Sequence, residues 1–260
     1  MRKFAFVFVT AAMILLIVLS IQADRIPSDK LLFKQTLYSQ LTTDDTLIVE
    51  GFANRKNLYT DSAAIESIYL SSLDEHYKLV PTLDMIEKGG EYNYLGDVYI
   101  KYRYIFKLPT LEVDYYIKSC YMTMILKNGD HLQVSIGRLS LMRPSHQSDL
   151  SIVNQYGENE EGSSYLSKIT LDVKANRLLT IQTICYTVSH CTPIDQVVTD
   201  SKTIHIDLGL DVFHFNQTPL RVNYLIDGIE HSETIDTFRY FETLSSDIPE
   251  NSQNRVYVID

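Results

Sequence analysis

The clearest pattern in the sequence is an alternation of apolar and polar positions with a period of two, which begins near residue 92. Between Val98 and Lys107 every even position is apolar or aromatic, whereas the odd positions carry most of the charge. Successive side chains of a strand point to opposite faces of a sheet, so one face of this strand is predicted to be core and the other largely exposed. Further strands are predicted at 166–173, 178–188, 202–208, 219–226, 229–235 and 237–243.

The strongest local signal is the sequence KNGD at 127–130, which two long strand-like runs flank. Asn and Gly accept the positive φ angles of a two-residue type I′ turn, so a hairpin is predicted over 116–141. This turn would place Ile125 opposite Leu132 on the core face. The apolar phase then shifts across Gly137, as an inserted bulge residue would cause.

Helical spacing of apolar residues is found only before residue 80. It predicts one helix over 28–41, within a juxtamembrane segment, and a second over 62–78 that Pro81 ends. Short strands at regular spacing farther along favour a sandwich, and the predicted fold class is mainly β (α+β), with an antiparallel β-rich domain. The predicted parts are a juxtamembrane helix or stalk at 23–43, an α+β part at 44–142, a polar connection at 143–165 and an antiparallel β part at 166–260.

The N-terminal segment predicts export. Met1-Arg2-Lys3 precedes eighteen uncharged residues, from Phe4 to Ile21. This length favours a retained transmembrane signal anchor at 4–22 with a cytoplasmic stub at 1–3, because secretory signals have shorter apolar cores. The C-terminal part would then lie outside the cell membrane. Cleavage after Ala23 is the alternative, and it would release a secreted soluble factor.

Charge and missing motifs exclude several functions. The chain has 33 acidic and 23 basic residues, so it repels nucleic acid, whose binding depends on basic contacts to phosphate. No Gly-rich phosphate-binding motif and no nucleophile-elbow motif is present, which argues against nucleotide-dependent catalysis. The strong metal-binding signatures are missing as well. We therefore expect no cofactor, no nucleotide and no nucleic-acid partner.

Two weaker clusters could carry chemistry. His205, Asp207, Asp211 and His214 lie within ten residues and offer zinc-type ligands, but His205 and Asp207 equally fit the polar face of a strand. In an exported chain, Cys185 and Cys191 are expected to form a disulfide. Free thiols and a thiolate site with His190 are the alternatives, and Cys120 is expected to stand alone.

The candidate binding surface is the odd-numbered face of the strand near residue 100. Tyr99, Lys101, Arg103 and Lys107 are predicted to be exposed there, as one basic stripe on an acidic protein. Such a stripe would attract a protein or an anionic component of the cell envelope. The competing interpretation is a solvated strand face, or edge lysines that prevent pairing with another chain.

Together these features predict a single-pass, membrane-anchored extracytoplasmic protein that acts by binding. Its expected partner is an adjacent membrane protein, an envelope component or a second copy of itself. An exported hydrolase or metal-dependent enzyme is the alternative class, with His205, Asp207 and His214 as its site.

Overall fold

The computed structural model describes residues 28–147, 149–159, 166–208, 217–239 and 255–259, most of which lie in β-strands. The first nine strands are β1 (Asp29–Phe33), β2 (Thr36–Leu41), β3 (Thr46–Ala53), β4 (Ile65–Ser71), β5 (Lys78–Leu79), β6 (Thr82–Tyr94), β7 (Asp97–Lys107), β8 (Tyr115–Leu126) and β9 (His131–Met142). They are followed by β10 (Leu150–Asn159), β11 (Leu166–Ala175), β12 (Leu179–Cys185), β13 (Cys191–Val198), β14 (Ser201–Asp207), β15 (Gln217–Ile226), β16 (Ile229–Arg239) and β17 (Arg255–Ile259). A single 3-10 turn, Leu58–Thr60, is the one helical element of the described residues.

Two five-stranded sheets form the first sandwich. Sheet A has the strand order β17-β1-β3-β7-β6, and sheet B has the order β2-β9-β8-β4-β5. Their inner faces enclose a core that includes Val49, Tyr104, Met122 and Ile136, all fully buried. Taken along the chain, β1, β3, β4, β6, β7, β8 and β9 occupy the positions of strands A to G in an immunoglobulin-type sandwich.

The second sandwich is smaller. Sheet C has the order β10-β11-β14, and sheet D has the order β13-β12-β15-β16. Their shared core includes Leu171, Ile181, Ile204 and Val222. Both sandwiches are antiparallel except where β2 runs parallel to β9, so the predicted sandwich class is confirmed for the described residues.

That parallel pair results from a change of sheet. The chain leaves sheet A after Phe33 and joins sheet B at Thr36, beside Gly137 of β9. Gln35 stabilises the crossing, because its side-chain amide donates to the Ser135 carbonyl at 2.6 Å and accepts from the Ser135 hydroxyl at 2.8 Å. Gly137 has a φ of +112°, and a Cβ there would overlap with the Thr36 backbone. This position therefore requires glycine.

Both predicted helices are wrong. Residues 28–41 contain β1 and β2, whose two faces are each covered: Leu31 and Leu32 belong to different apolar clusters, as do Leu37 and Tyr38. Burial on both faces hides the period of two in the sequence. The segment 62–78 contains β4, where a register shift between Ile65 and Ser67 produces the helix-like spacing.

The predicted polar connection is also wrong in part, because β10 occupies residues 150–159. This strand lies at an edge of sheet C and presents mainly polar residues to solvent. A register shift between Ile152 and Asn154 interrupts its alternation, so the sequence there lacks a strand-like pattern.

The hairpin of β8 and β9 turns where the sequence predicts, but its register differs by one residue. Ile125 lies opposite His131 rather than Leu132, because Leu126 pairs with Asp130 around a three-residue loop that ends at Gly129 with positive φ. This is the arrangement of a bulged turn, not of the type I′ turn. A shift of one residue exchanges the two faces of a strand, so Met122 and Met124 are in the core instead of Ile125.

Charged and polar contacts join the two sandwiches. Asp114 forms a two-pronged ion pair with Arg221 of β15, at 2.6 and 2.8 Å, and accepts a hydrogen bond from the backbone nitrogen of Arg143. Thr218 of β15 donates to the Ser39 hydroxyl of β2 at 2.8 Å. The Arg221 guanidinium, through its hydrogen bonds, is the main cause that lowers the pKa of Asp114.

The Asp114 contact predicts a pH dependence. A carboxyl whose pKa is lower in the folded state stabilises the fold above its ordinary pKa, and this stability is lost as the pH falls through the folded value. We expect Asp114→Asn to lower the free energy of unfolding by about 1 kcal/mol near neutral pH, a modest value because the pair is partly exposed. The difference should vanish in acid. Urea unfolding across the pH range measures it, with the exposed Glu66→Gln as control; a pH-independent difference would contradict the assignment.

The predicted anchor at 4–22, the stub at 1–3 and the possible cleavage point at Ala23 lie outside the described residues. Among the residues that the structure does describe, no helix has the length and apolar character needed to cross a membrane.

Candidate functional site

The outer face of sheet A carries the predicted binding residues. Tyr102, Tyr104 and Phe106 of β7 point into the first core, so the odd-numbered side chains lie on the opposite face. Lys101 and Arg103 are half-buried there, and Lys107 is exposed at the end of the strand. The sequence thus predicts the two faces of β7 correctly from Ile100 to Lys107, whereas Val98, which the alternation placed in the core, is 53% exposed.

The expectation that Tyr99 is exposed is wrong, since only 2% of its surface is accessible. Tyr99 packs in a second, smaller cluster with Leu32, Phe52 and Tyr94, and the partly buried Tyr92 packs against this cluster. Large side chains on neighbouring strands of one face bury each other even outside the main core. Tyr99 therefore supports the surface but does not present a side chain to a partner.

Two acidic residues change the charge of the stripe. Lys101 lies 2.5 Å from a carboxylate oxygen of Glu50 on β3, and Arg103 lies 3.0 Å from Glu87 on β6. The Lys101 ammonium also lies 5.8 Å from the centre of the Tyr92 ring. Two of the three predicted cations thus have acidic partners, and this outer face is a row of mixed charges.

A groove of about 390 Å3 lies beside this row. It exists because β1 pairs only with Gly51–Ala53 of β3 and then crosses to the other sheet, which leaves the edge of β3 uncovered from Thr46 to Glu50. Polar lining comes from both sandwiches, namely Lys34, Gln40, Glu50, Arg103 and Gln217. Arg103 and Glu50 therefore belong both to the mixed-charge row and to the wall of the groove.

Tyr38 lies in the lining of the groove with its side chain largely buried. Burial raises the pKa of the Tyr38 hydroxyl, and the nearby Glu50 charge raises it further. Tyr38 also packs in the first core, so its side chain supports the wall of the groove from behind. Sequence reasoning missed Glu50 and Glu87, because their proximity to β7 depends on strand pairing. It missed Tyr38 because β2 belongs to the other sheet and reaches the groove only through the packing of the two sheets.

The predicted metal cluster is only partly described. His205 and Asp207 are on the exposed face of β14, opposite the buried Ile204 and Ile206, and the His205 ring lies 3.0 Å from the Thr170 hydroxyl. Asp211 and His214 lie outside the described residues. Within the described ranges, no group of three or more His, Cys, Asp or Glu side chains is placed to hold a metal ion.

Cys185 and Cys191 are joined by a disulfide, and their Cα atoms lie 3.9 Å apart across the hairpin of β12 and β13. Neither sulfur is therefore available as a thiolate ligand. Cys120 is free and fully buried, and burial raises the pKa of its thiol to about 12. It is consequently a protonated core residue at neutral pH.

Fold and groove define a tandem β-sandwich protein with an immunoglobulin-type first unit. No protein-family model and no curated protein matches the chain. Similar solved structures include the titin domains z1z2 in complex with telethonin, at 10% identity and a TM-score of 0.23, over 84% of this chain and all of that one. The Pseudomonas aeruginosa CupB2 chaperone is similar at 9% identity and a TM-score of 0.21, over 77% of this chain and 96% of that one. The D00-D0 domain of intimin shares 8% identity at a TM-score of 0.21, over 82% of this chain and all of that one. Scores this low transfer neither a partner nor an activity.

Proposed function

We propose that this chain is a membrane-anchored, extracytoplasmic binding protein that holds a protein partner on the outer face of sheet A. The observation that carries the proposal is the mixed-charge row of Lys101, Glu50, Arg103 and Glu87 beside the groove at the junction of the two sandwiches. Ligand sites are commonly found at such junctions, and the groove has a volume typical of them.

The paired charges favour a protein over an anionic polymer. A polyanion would be attracted to Lys101 and Arg103 but repelled by the neighbouring Glu50 and Glu87. A protein surface can present a complementary row, with an acidic group opposite each cation and a basic group opposite each carboxylate. Exposed Lys107, at the end of the same strand, offers a further cation at the rim.

Two features of the chain support a membrane anchor and an extracytoplasmic location of the two sandwiches. The eighteen uncharged residues from Phe4 to Ile21 have the length of a membrane span. The Cys185–Cys191 disulfide is typical of proteins in oxidising compartments. Such a location would present the sandwiches to other surface proteins.

Photo-crosslinking from position 107 in intact cells tests the proposal. A photoreactive residue at Lys107 should form one defined adduct. Lys101→Glu with Arg103→Glu should reduce the yield of this adduct by roughly tenfold or more, because the new carboxylates would repel the acidic groups that the partner presents to the two cations. The matched control is Lys118→Glu with Lys174→Glu, which reverses two exposed lysines on other sheets.

Equal adduct yields from both double variants would contradict the proposed site. High salt should weaken the specific adduct, since exposed charges are screened over roughly 8 Å at physiological ionic strength. Purified anionic lipid vesicles distinguish the alternative partner class: strong binding to them that depends on Lys101 and Arg103 would favour an anionic envelope component.

A further inference from the structure

The C-terminal strand β17 occupies an edge that belongs to the first sandwich. It pairs antiparallel with every residue of β1, from Asp29 opposite Ile259 to Phe33 opposite Arg255. Its neighbours along the chain, β15 and β16, are in the second sandwich. The edge of β1 therefore receives a strand from a distant part of the chain.

Alternate residues of β17 have different roles. Tyr257 and Ile259 pack against the core of the first sandwich, whereas Val256 and Val258 are 40% and 57% exposed. The Tyr257 hydroxyl accepts a hydrogen bond from the Ser135 backbone nitrogen of β9, at 2.7 Å. This one side chain thus connects the added strand with the opposite sheet.

The contacts that keep β17 in place are modest for a strand of a folded domain. Among the described residues, β17 is held by five backbone partners in β1, by the hydrogen bond between Tyr257 and Ser135, and by two inward side chains that remain partly accessible. A strand held by so few buried contacts opens at a low free-energy cost compared with global unfolding.

A cleft of about 500 Å3 continues beside Val258 and Ile259. Asn57, Asp130 and His131 line it together with apolar residues. The Asn57 side-chain nitrogen is buried and donates to no atom of the described residues. An unused buried donor is unfavourable, and a peptide carbonyl in the cleft would satisfy it.

We propose that the edge of β1 is a strand-acceptor site for an extended segment of another protein, and that β17 is its built-in, exchangeable occupant. The segment runs antiparallel to β1 and carries a tyrosine, followed two residues later by an aliphatic side chain. Its backbone pairs with β1, and its tyrosine accepts from Ser135 as Tyr257 does. This is recognition by strand addition, in which alternate side chains give the specificity. None of the residues of this strand-acceptor site belongs to the mixed-charge row.

A labelled peptide with the sequence of residues 254–260 tests the site. We expect saturable binding, measured by fluorescence anisotropy, to a variant that lacks residues 255–260. The intact protein should bind the peptide roughly tenfold or more weakly, because its own β17 competes at a high effective concentration. A peptide with Tyr257→Ala should lose most of this affinity.

A second variant tests the same site without truncation, which could by itself cause misfolding. Full-length protein with Tyr257→Ala keeps the whole chain but weakens the docking of β17, so it should bind the peptide more tightly than the wild type does. Circular dichroism and an intact disulfide report whether each variant is folded. Failure of a folded truncated protein to bind, or equal binding by truncated and intact protein, would overturn the proposal. A full-length dimer that dissociates on truncation would assign the site to a second copy and would also overturn it.

Discussion

Replacing Gly137 with alanine should destabilise the first sandwich by about 4 kcal/mol or more, which is a large share of the stability of a domain of this size. Two costs combine at this position. The φ of +112° is strained for any residue with a side chain, and the new Cβ would overlap with the Thr36 backbone, lying 2.5 Å from its nitrogen. Backbone atoms cannot move away as a flexible side chain can, so β2 would have to separate from β9.

Gly129→Ala is the matched control. Gly129 also has a positive φ, of +92°, but a Cβ there would meet nothing within 4 Å. This variant should therefore cost only about 1 kcal/mol, the backbone term alone. Urea unfolding of both variants separates the two contributions. Equal losses would mean that β2 shifts freely and that the crossing at Gln35 is not rigid.

Removing the Cys185–Cys191 disulfide should lower the free energy of unfolding of the second sandwich by about 2 kcal/mol, the value expected for so short a closed loop. The loop between the cysteines also reaches the first sandwich, because the Val188 nitrogen donates to the Ser140 hydroxyl at 3.1 Å. Loss of the disulfide should therefore loosen this contact as well as the hairpin.

The variant is Cys185→Ala with Cys191→Ala, measured by thermal unfolding with and without a reductant. Reductant should bring the wild type to the stability of the variant and should leave the variant unchanged. Under native oxidising conditions an alkylating reagent should modify no cysteine, because Cys120 is buried. In denaturant it should modify one. Two further labelled thiols in the unreduced protein would show that the disulfide does not form.

The mixed-charge row shows most directly how much of the candidate site could be predicted from the sequence. Lys101 and Arg103 were placed on the outer face by the period of two, which local backbone geometry imposes. Their partners Glu50 and Glu87 are on other strands, so no local sequence pattern predicts the ion pairs. For the same reason the groove, which depends on where β1 leaves sheet A, has no signature in the sequence.

The wrong helices have a related origin. Helical spacing is a reliable signal only where one face of an element is buried, and β1 and β2 are covered on both faces. In β4 a bulge changes the phase within the strand. Neither the second apolar cluster nor the bulge can be inferred before the strands are paired.

The sequence by itself determined what depends on neighbouring residues: many of the antiparallel strands after residue 97, the two faces of β7 from Ile100 to Lys107, the position of the turn at Asn128-Gly129 and the proximity of Cys185 to Cys191. Only the tertiary structure decided what depends on distant partners. It set the register of the hairpin, buried Tyr99, paired the cations and placed β17 beside β1. The physical reason is that alternation and turn geometry follow from a few consecutive φ and ψ angles, whereas strand order and register follow from the packing of two sheets against each other.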